Sequence, residues 1–440
     1  MRSIPGDLST DLQPPLRIPL VHFVVALCFL LAGSVFGLLL TGTGARIAIR
    51  LATVHLLLIG WVSLTILGAM TQFVPVWSGV RLHSHRLATI QLPLVGVGLV
   101  GLAGGFGVGE FDVVAGGALL VFAGFGVFGY NIGRTLWSAR PWDVTETHFA
   151  LGVGFFLLAV AVGTTLALDF RFRVYPIGSI IRTNVISAHV TLAVFGGVLA
   201  TIVGALYQLA PMFTQARDSR IDGRIRRFES GVFPVSVLGL AVGRLFDVAI
   251  LATLSGLGVG IAVLAIALIV SRQLYSATVE YSPMLPRYAI AAVLGIVWSI
   301  SAGYAWILDP VSPTTRFGFG GTGPILLFGM VGFVIVGTLY HVIPFLIWVH
   351  RYSHRVGFEP VPMIDDLYDP RLERFDLVIT TLGTGVVFLG ELVWPQISAV
   401  GIALVVAGVF IFVTNMARTV TTHAADVFAR SSNSTDPADE

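Results

Sequence analysis

Lysine is absent from this chain of 440 residues, cysteine occurs once, and charged residues make up only 11% of it. The single cysteine excludes a disulfide framework and a metal site built from several thiolates. The shortage of charge excludes a water-soluble globule, because polar and charged side chains must cover such a surface. Hydrophobic residues make up 55% of the sequence, and there are 50 glycines. Lipid is therefore the expected solvent, and the glycines allow helices to pack closely within it.

Twelve apolar stretches are long enough to cross a bilayer, which takes about 20 helical residues. They lie near residues 19–42, 47–78, 88–108, 112–136, 148–168, 178–213, 231–247, 248–271, 287–308, 321–350, 375–395 and 397–418. The pattern predicts an all-α, polytopic membrane protein with about twelve transmembrane helices. The polar ends predict a flexible arm at 1–18 and a disordered tail at 424–440.

The arginines indicate the orientation of the chain in the membrane. With an even number of spans both termini share a side, and nineteen of the 26 arginines fall on that side. Basic residues concentrate in cytoplasmic loops. We therefore predict a multi-pass protein of the cell membrane with both termini in the cytoplasm, a lipid bilayer as its surroundings and no nucleic-acid partner.

Spans 2, 6 and 10 contain an internal repeat. Four positions recur without gaps at offsets of 136 and 133 residues: Gly60, Gly68, Gln72 and Pro75; Gly196, Gly204, Gln208 and Pro211; and Gly329, Gly337, His341 and Pro344. Such self-similarity is typical of repeated structural units. It predicts three four-helix units, 19–136, 148–271 and 287–418, around a pseudo-threefold axis, with spans 2, 6 and 10 at the centre.

The first helix of each unit shows a fainter repeat. His22, His148 and Arg287 begin spans 1, 5 and 9, and each precedes an aromatic residue. These positions lie at the predicted cytoplasmic interface, where long or amphipathic side chains reach the headgroups. We therefore interpret His22 and His148 as interfacial anchors.

Histidines also lie deeper within the predicted spans. An imidazole at membrane depth is costly without a partner, so it indicates a functional site, and histidine is a common ligand of heme iron and copper. We expect two polar layers. The outer layer would contain Thr53, His55, His189 and Thr191, and the inner layer Gln72, Gln208 and His341. The alternative is that each imidazole only forms a hydrogen bond across a helix interface.

The pattern around span 2 resembles a known family. The order His-x-His, Gly-Trp, Gly-Ala-x-Tyr-x-x-Pro is similar to the heme-liganding helix of subunit I in the heme-copper oxidase superfamily, especially its nitric-oxide-reductase-like branch. The pattern is carried here by His55, Gly60-Trp61, Gly68-Ala69 and Pro75, and later units supply the tyrosine as Tyr207 and Tyr340. The resemblance implies three four-helix arcs, His55 as ligand of a low-spin heme and His189 as a copper ligand.

The ligand set that the resemblance implies is incomplete. Span 10 has Thr322 and Pro324 where the family has two histidines, and span 7 has no histidine. We therefore do not expect a complete terminal oxidase or nitric oxide reductase. His341 is a third candidate metal ligand, although glutamines occupy its equivalent positions.

Three functions remain as hypotheses. The first is a protein that binds heme or copper through His55 and His189 in a redox, nitric oxide or metal-handling role, with an electron-transfer partner or oxidase subunits. The second is a cofactor-free homologue acting as an assembly factor or partner subunit. The third is a small-solute transporter, which we consider weaker because the sequence shows no inverted repeat and, by our interpretation, no carboxylate within a span. The same interpretation argues against proton pumping.

Overall fold

We describe the chain from a computed structural model, in which residues 12–40, 47–175, 182–217, 219–320 and 322–429 are described. Within these ranges twelve helices are long and apolar enough to span a membrane, and there is no strand. We number them α1 Arg17–Leu40, α2 Ile47–Ser78, α3 His85–Val108, α4 Phe111–Ser138, α5 Val144–Phe172, α6 Arg182–Thr214, α7 Arg220–Leu245, α8 Ala249–Tyr275, α9 Met284–Leu308, α10 Thr322–Arg351, α11 Pro370–Leu392 and α12 Pro395–His423. The prediction of an all-α membrane protein with twelve spans is confirmed.

Two helices begin well before their apolar stretches. Helix α7 begins at Arg220 because Ser219 and Asp222 form a capping box, in which each side chain accepts a hydrogen bond from the backbone N–H of the other residue. Helix α11 begins at Pro370, where the Asp369 side chain accepts hydrogen bonds from the backbone N–H groups of the first turn. Capping thus extends both helices into polar sequence that lies outside the predicted spans.

The predicted terminal segments are described only in part. Residues 1–11 and 430–440 lie outside the described ranges. Residues 425–429 of the predicted tail form a short helix, Ala425–Ala429. Its Asp426 forms an ion pair with Arg351 at 3.0 Å, so the ends of α10 and α12 lie on the same face of the bundle. We call this face, at which α1 begins and α12 ends, the terminal face.

Helices α2, α6 and α10 are the most enclosed. In the most apolar stretch of each of these helices, 67%, 83% and 72% of the residues are buried, a larger share than in the other nine spans. Each packs on the helix before it, while α3 with α4, α7 with α8, and α11 with α12 form antiparallel pairs. Helix α12 also packs on α1. The pseudo-threefold arrangement of the units stays a prediction.

The same three helices contain π-helical segments. These are Leu56–Ser63 in α2, Thr191–Leu199 in α6 and Ile325–Val331 in α10. Displacing the α2 segment by the repeat offsets, 136 and then 133 residues, places it on the other two to within one residue. π-Helical turns are rare and often accompany functional sites. The residues beside these segments are therefore candidate functional residues.

The close packing of α3 against α4 gives a testable prediction. A Cβ atom added at Gly117 would lie 2.6 Å from the carbonyl oxygen of Gly98 and would also meet the backbone N of Leu102. Gly116 is exposed and has nothing within 4 Å of the same position. We expect Gly117→Ala to lower the free energy of unfolding by about 1–3 kcal/mol because the helices must separate. Gly116→Ala is the matched control and should leave stability unchanged or raise it by at most about 1 kcal/mol.

The measurement for the glycine pair is unfolding of the solubilised protein in mixed detergent micelles. Equal stability of the two variants would contradict the backbone contact between α3 and α4.

Candidate functional site

His55 and His189 each have one ring nitrogen fixed by a backbone carbonyl. His55 lies on α2 directly before the π-helical segment, and its Nδ1 lies 2.7 Å from the carbonyl oxygen of Leu51. His189 lies on α6, and its Nδ1 lies 2.9 Å from the carbonyl oxygen of Ala159 on α5. Because a carbonyl oxygen can only accept, Nδ1 carries the proton in both rings. Each Nε2 is then left with a lone pair, which is the state that binds a metal ion.

The two imidazoles border neighbouring helices, His55 against Phe106 of α3 and His189 against Ala159 of α5. The centroid of the His55 ring lies 5.8 Å from that of Phe106 on α3, which in turn lies 6.0 Å from that of Phe170 on α5. A Cβ added at Gly163 of α5 would lie 2.7 Å from Cε1 of His189. Aromatic and small residues of α3 and α5 thus border the two half-buried rings, and Gly163 leaves the space that the His189 ring occupies.

The two threonines of the predicted outer layer have other partners. Thr53 donates to the carbonyl oxygen of Ile49 at 2.8 Å. Thr191 donates to the carbonyl oxygen of Ser187 at 2.7 Å and accepts a hydrogen bond from Arg244. The pairing of the two histidines of this layer therefore stays a prediction, while the threonines form hydrogen bonds within their own helices and, for Thr191, with Arg244.

The residues of the predicted inner layer also have different surroundings. The His341 ring lies 4.8 Å from that of Phe213 and 5.5 Å from that of Phe345, measured between centroids. Gln72 is buried, and its Oε1 has no partner among the described residues. Gln208 is half-buried. The tyrosines that precede Gln208 and His341 instead join polar clusters near the terminal face.

Three buried polar clusters occupy equivalent positions near that face. In each unit the first residue packs against a repeat glycine: a Cβ added at Gly68, Gly204 or Gly337 would lie 2.7, 2.8 or 3.2 Å from the Cβ of His22, His148 or Arg287. All three of these side chains are at most 1% exposed. The prediction that His22 and His148 are interfacial anchors is therefore wrong, because both rings face the protein interior.

The first cluster is uncharged. The Nδ1 of His22 lies 2.8 Å from the carbonyl oxygen of Ile18, so its Nε2 acts as an acceptor. Gln91 of α3 donates from Nε2 to His22 Nε2 at 3.1 Å and to Thr71 Oγ1 of α2 at 3.4 Å. Three helices are thereby joined through one amide group.

The second cluster contains a carboxylate. His148 Nε2 of α5 lies 3.0 Å from Oε2 of Glu229 on α7, and the hydroxyl of Tyr207 on α6 donates to the same oxygen at 2.9 Å. Both members of the histidine–glutamate pair are buried. His148 Nδ1 and Glu229 Oε1 have no partner among the described residues. Tyr207 occupies the position of Thr71 in the repeat.

The third cluster contains one arginine and two carboxylates. Arg287 of α9 donates from Nη1 to Glu373 and from Nη2 to Asp376, both on α11. Tyr340 of α10 donates to the second oxygen of Asp376 and accepts from Asn415 of α12 at 3.4 Å. The guanidinium carbon of Arg287 lies 4.6 Å from the centroid of the Tyr340 ring. Four helices are joined by this network.

The prediction that no span contains a carboxylate is wrong. Glu229, Glu373 and Asp376 lie within α7 and α11, and each is at most 2% exposed. Two of them precede the apolar stretches predicted for these spans, because capping extends α7 and α11. Buried carboxylates thus do occur within the spans, and their absence is no reason to exclude proton pumping.

The donor set at the histidine pair suits a metal with two protein ligands. Among the described residues no group of three or more His, Cys, Asp and Glu side chains is placed to hold a metal ion. His55 and His189 would supply two imidazole nitrogens to a heme iron or a copper ion. A cavity of about 50 Å³ lies elsewhere, between α1, α2, α9, α10, α11 and α12, and its lining includes no histidine. The histidine pair thus remains the candidate cofactor site.

No protein-family model and no curated protein matches this chain. The relationship to the heme-copper oxidase superfamily therefore rests on the sequence pattern of span 2 and stays a proposal. The twelve apolar helices themselves establish a polytopic membrane protein.

Proposed function

We propose that this membrane protein holds one heme iron or copper ion between His55 and His189 and acts in redox, nitric oxide or metal handling. The observation that supports the proposal most strongly is the orientation of the two rings. In each ring a backbone carbonyl engages Nδ1, at 2.7 Å for His55 and 2.9 Å for His189, and leaves Nε2 free to ligate. Metal-binding histidines commonly have their second nitrogen fixed in this manner.

The protein's own residues have three tasks in this proposal. Leu51 and Ala159 orient the imidazoles through their carbonyl oxygens. Phe106 limits the access of water to His55, because its ring lies against the imidazole. The bound metal would supply one-electron chemistry, and the apolar setting would tune its potential.

The test is cofactor loading of purified wild-type protein, His55→Ala and His189→Ala. Each protein is incubated with hemin or with a copper salt, freed of excess, and examined by optical spectroscopy and metal analysis. We expect about one cofactor per wild-type chain and at least a roughly tenfold lower occupancy in either variant, because each loses a direct ligand.

His85→Ala is the control, because His85 is exposed at the start of α3. Its occupancy should equal that of the wild type. Wild-type protein that retains neither heme nor copper, or variants that load as well as the wild type, would contradict the proposal.

A further inference from the structure

A buried arginine lies at the face of the bundle opposite the terminal face. Arg244, near the end of α7, is only 1% exposed. Its guanidinium donates to the carbonyl oxygen of Pro310 at 3.0 Å, to that of Arg316 at 3.1 Å and to Thr191 Oγ1 at 2.9 Å. All three acceptors are uncharged, so the positive charge of Arg244 is solvated without being neutralised.

A second arginine adjoins the first. Arg316 lies in the connection between α9 and α10, and both its Nε and Nη2 donate to the single hydroxyl of Ser187, at 3.1 and 3.0 Å. Burial lowers the pKa of the Arg316 guanidinium. Arg244 lies beside Arg316, because its Nη2 donates to the backbone carbonyl oxygen of Arg316 at 3.1 Å. Two like charges therefore lie together near α6, beside two hydroxyl groups.

No acidic side chain compensates this pair within the part of the chain that the structure describes. Neither Arg244 nor Arg316 forms an ion pair there, whereas Arg182 on the same face pairs with Asp169 at 2.9 Å. The undescribed loops on this face, 41–46 and 176–181, contain no Asp or Glu. A buried charge without a counter-charge is strongly unfavourable. An anion from outside the chain would therefore stabilise both arginines.

We propose that Arg316, supported by the adjoining buried charge of Arg244, binds a phosphate-class oxyanion, either the headgroup of an anionic phospholipid or free phosphate. Guanidinium groups match the oxygens of such anions through charge-assisted hydrogen bonds. Arg316 is half-buried and can reach the anion, whereas Arg244 is enclosed and adds positive charge beside it. The Ser187 and Thr191 hydroxyls already hold both arginines in place. These hydroxyls lie two residues from His189, but the anion site does not depend on the proposed function.

The test compares the melting temperature of the full-length wild type with that of Arg316→Gln in phosphatidylcholine nanodiscs. Inorganic phosphate is titrated at constant ionic strength against chloride, and a ligand that binds only the folded state raises the melting temperature. We expect a saturable rise for the wild type and a half-saturating phosphate concentration about tenfold higher for the variant, since a charged hydrogen-bonding partner is lost. Arg316→Gln should fold, because Arg244 contacts only the backbone oxygen of Arg316.

A second arm replaces part of the phosphatidylcholine by phosphatidylglycerol without added phosphate. An Arg316-dependent rise in this arm alone would assign the anion to a lipid headgroup, and a rise with inorganic phosphate would assign it to free phosphate. Arg50→Gln, which removes an exposed arginine from the same face, should behave as the wild type in both arms. No Arg316-dependent rise in either arm would overturn the proposal.

Discussion

Replacing Arg287 by methionine is expected to lower the free energy of unfolding by about 3–5 kcal/mol, the range measured when one partner of a buried ion pair is removed. The variant leaves the carboxylates of Glu373 and Asp376 buried together, each at most 2% exposed, with no cation between them. Asp376 keeps the hydroxyl of Tyr340, but a neutral donor compensates little of a charge. Unfolding in mixed detergent micelles would measure the loss.

A triple variant separates the loss of charge balance from the loss of packing. Arg287→Met combined with Glu373→Gln and Asp376→Asn removes every charge of the network, so most of the lost stability should return. Arg355→Met is the surface control, because its ion pair with Glu359 is exposed to solvent and should contribute little to stability. If the single variant were as stable as the surface control, Arg287 would not neutralise the buried carboxylates.

His148→Leu is expected to be more harmful than the same change at its repeat equivalent, His22→Leu. The change at His148 removes one of the two hydrogen-bond partners that the described residues give the buried Glu229 carboxylate, so we expect a cost of about 3–5 kcal/mol. The change at His22 leaves only the Gln91 amide short of an acceptor, and about 1–3 kcal/mol is the expected cost. The two histidines occupy equivalent positions against Gly204 and Gly68, so helix packing is matched.

Unfolding in mixed micelles would again measure the difference between the two histidine variants. Adding Glu229→Gln to His148→Leu should recover part of the loss, because the unpaired charge is removed. Equal destabilisation by the two single variants would show that the carboxylate of Glu229 is compensated by a group other than His148.

Much of the fold could be predicted from the sequence because hydropathy and small-residue spacing are direct consequences of the lipid solvent. The first predicted span, 19–42, corresponds to Arg17–Leu40, and the second, 47–78, coincides with α2. Spacing alone predicts the repeat glycines, and the structure explains them, because each leaves room for a side chain of the preceding helix. Helix starts were less predictable, because capping residues such as Ser219 and Asp369 lie in polar sequence.

The candidate site was only partly predictable. The repeat aligns His55 with Thr191 and Thr53 with His189, which makes both histidines candidates. Their neighbours depend on helix rotation, which the repeat does not specify. The faint repeat of His22, His148 and Arg287 was the available signal for the three polar clusters. The partners of these three residues are Gln91, Glu229 and Asp376. Each partner lies on the third helix of its predicted unit, and these third helices share little sequence. Contacts between helices far apart in sequence therefore had to come from the structure.

The proposal that His55 and His189 hold one metal is tested most directly by counting the imidazole ligands of the bound metal. X-ray absorption at the iron or copper edge would be recorded for the loaded wild type and for His55→Ala and His189→Ala loaded under the same conditions. We expect two histidine nitrogens bound to the metal of the wild type, and one bound to whatever metal each variant retains. A wild-type spectrum without histidine ligation, or one that neither substitution changes, would contradict the proposal.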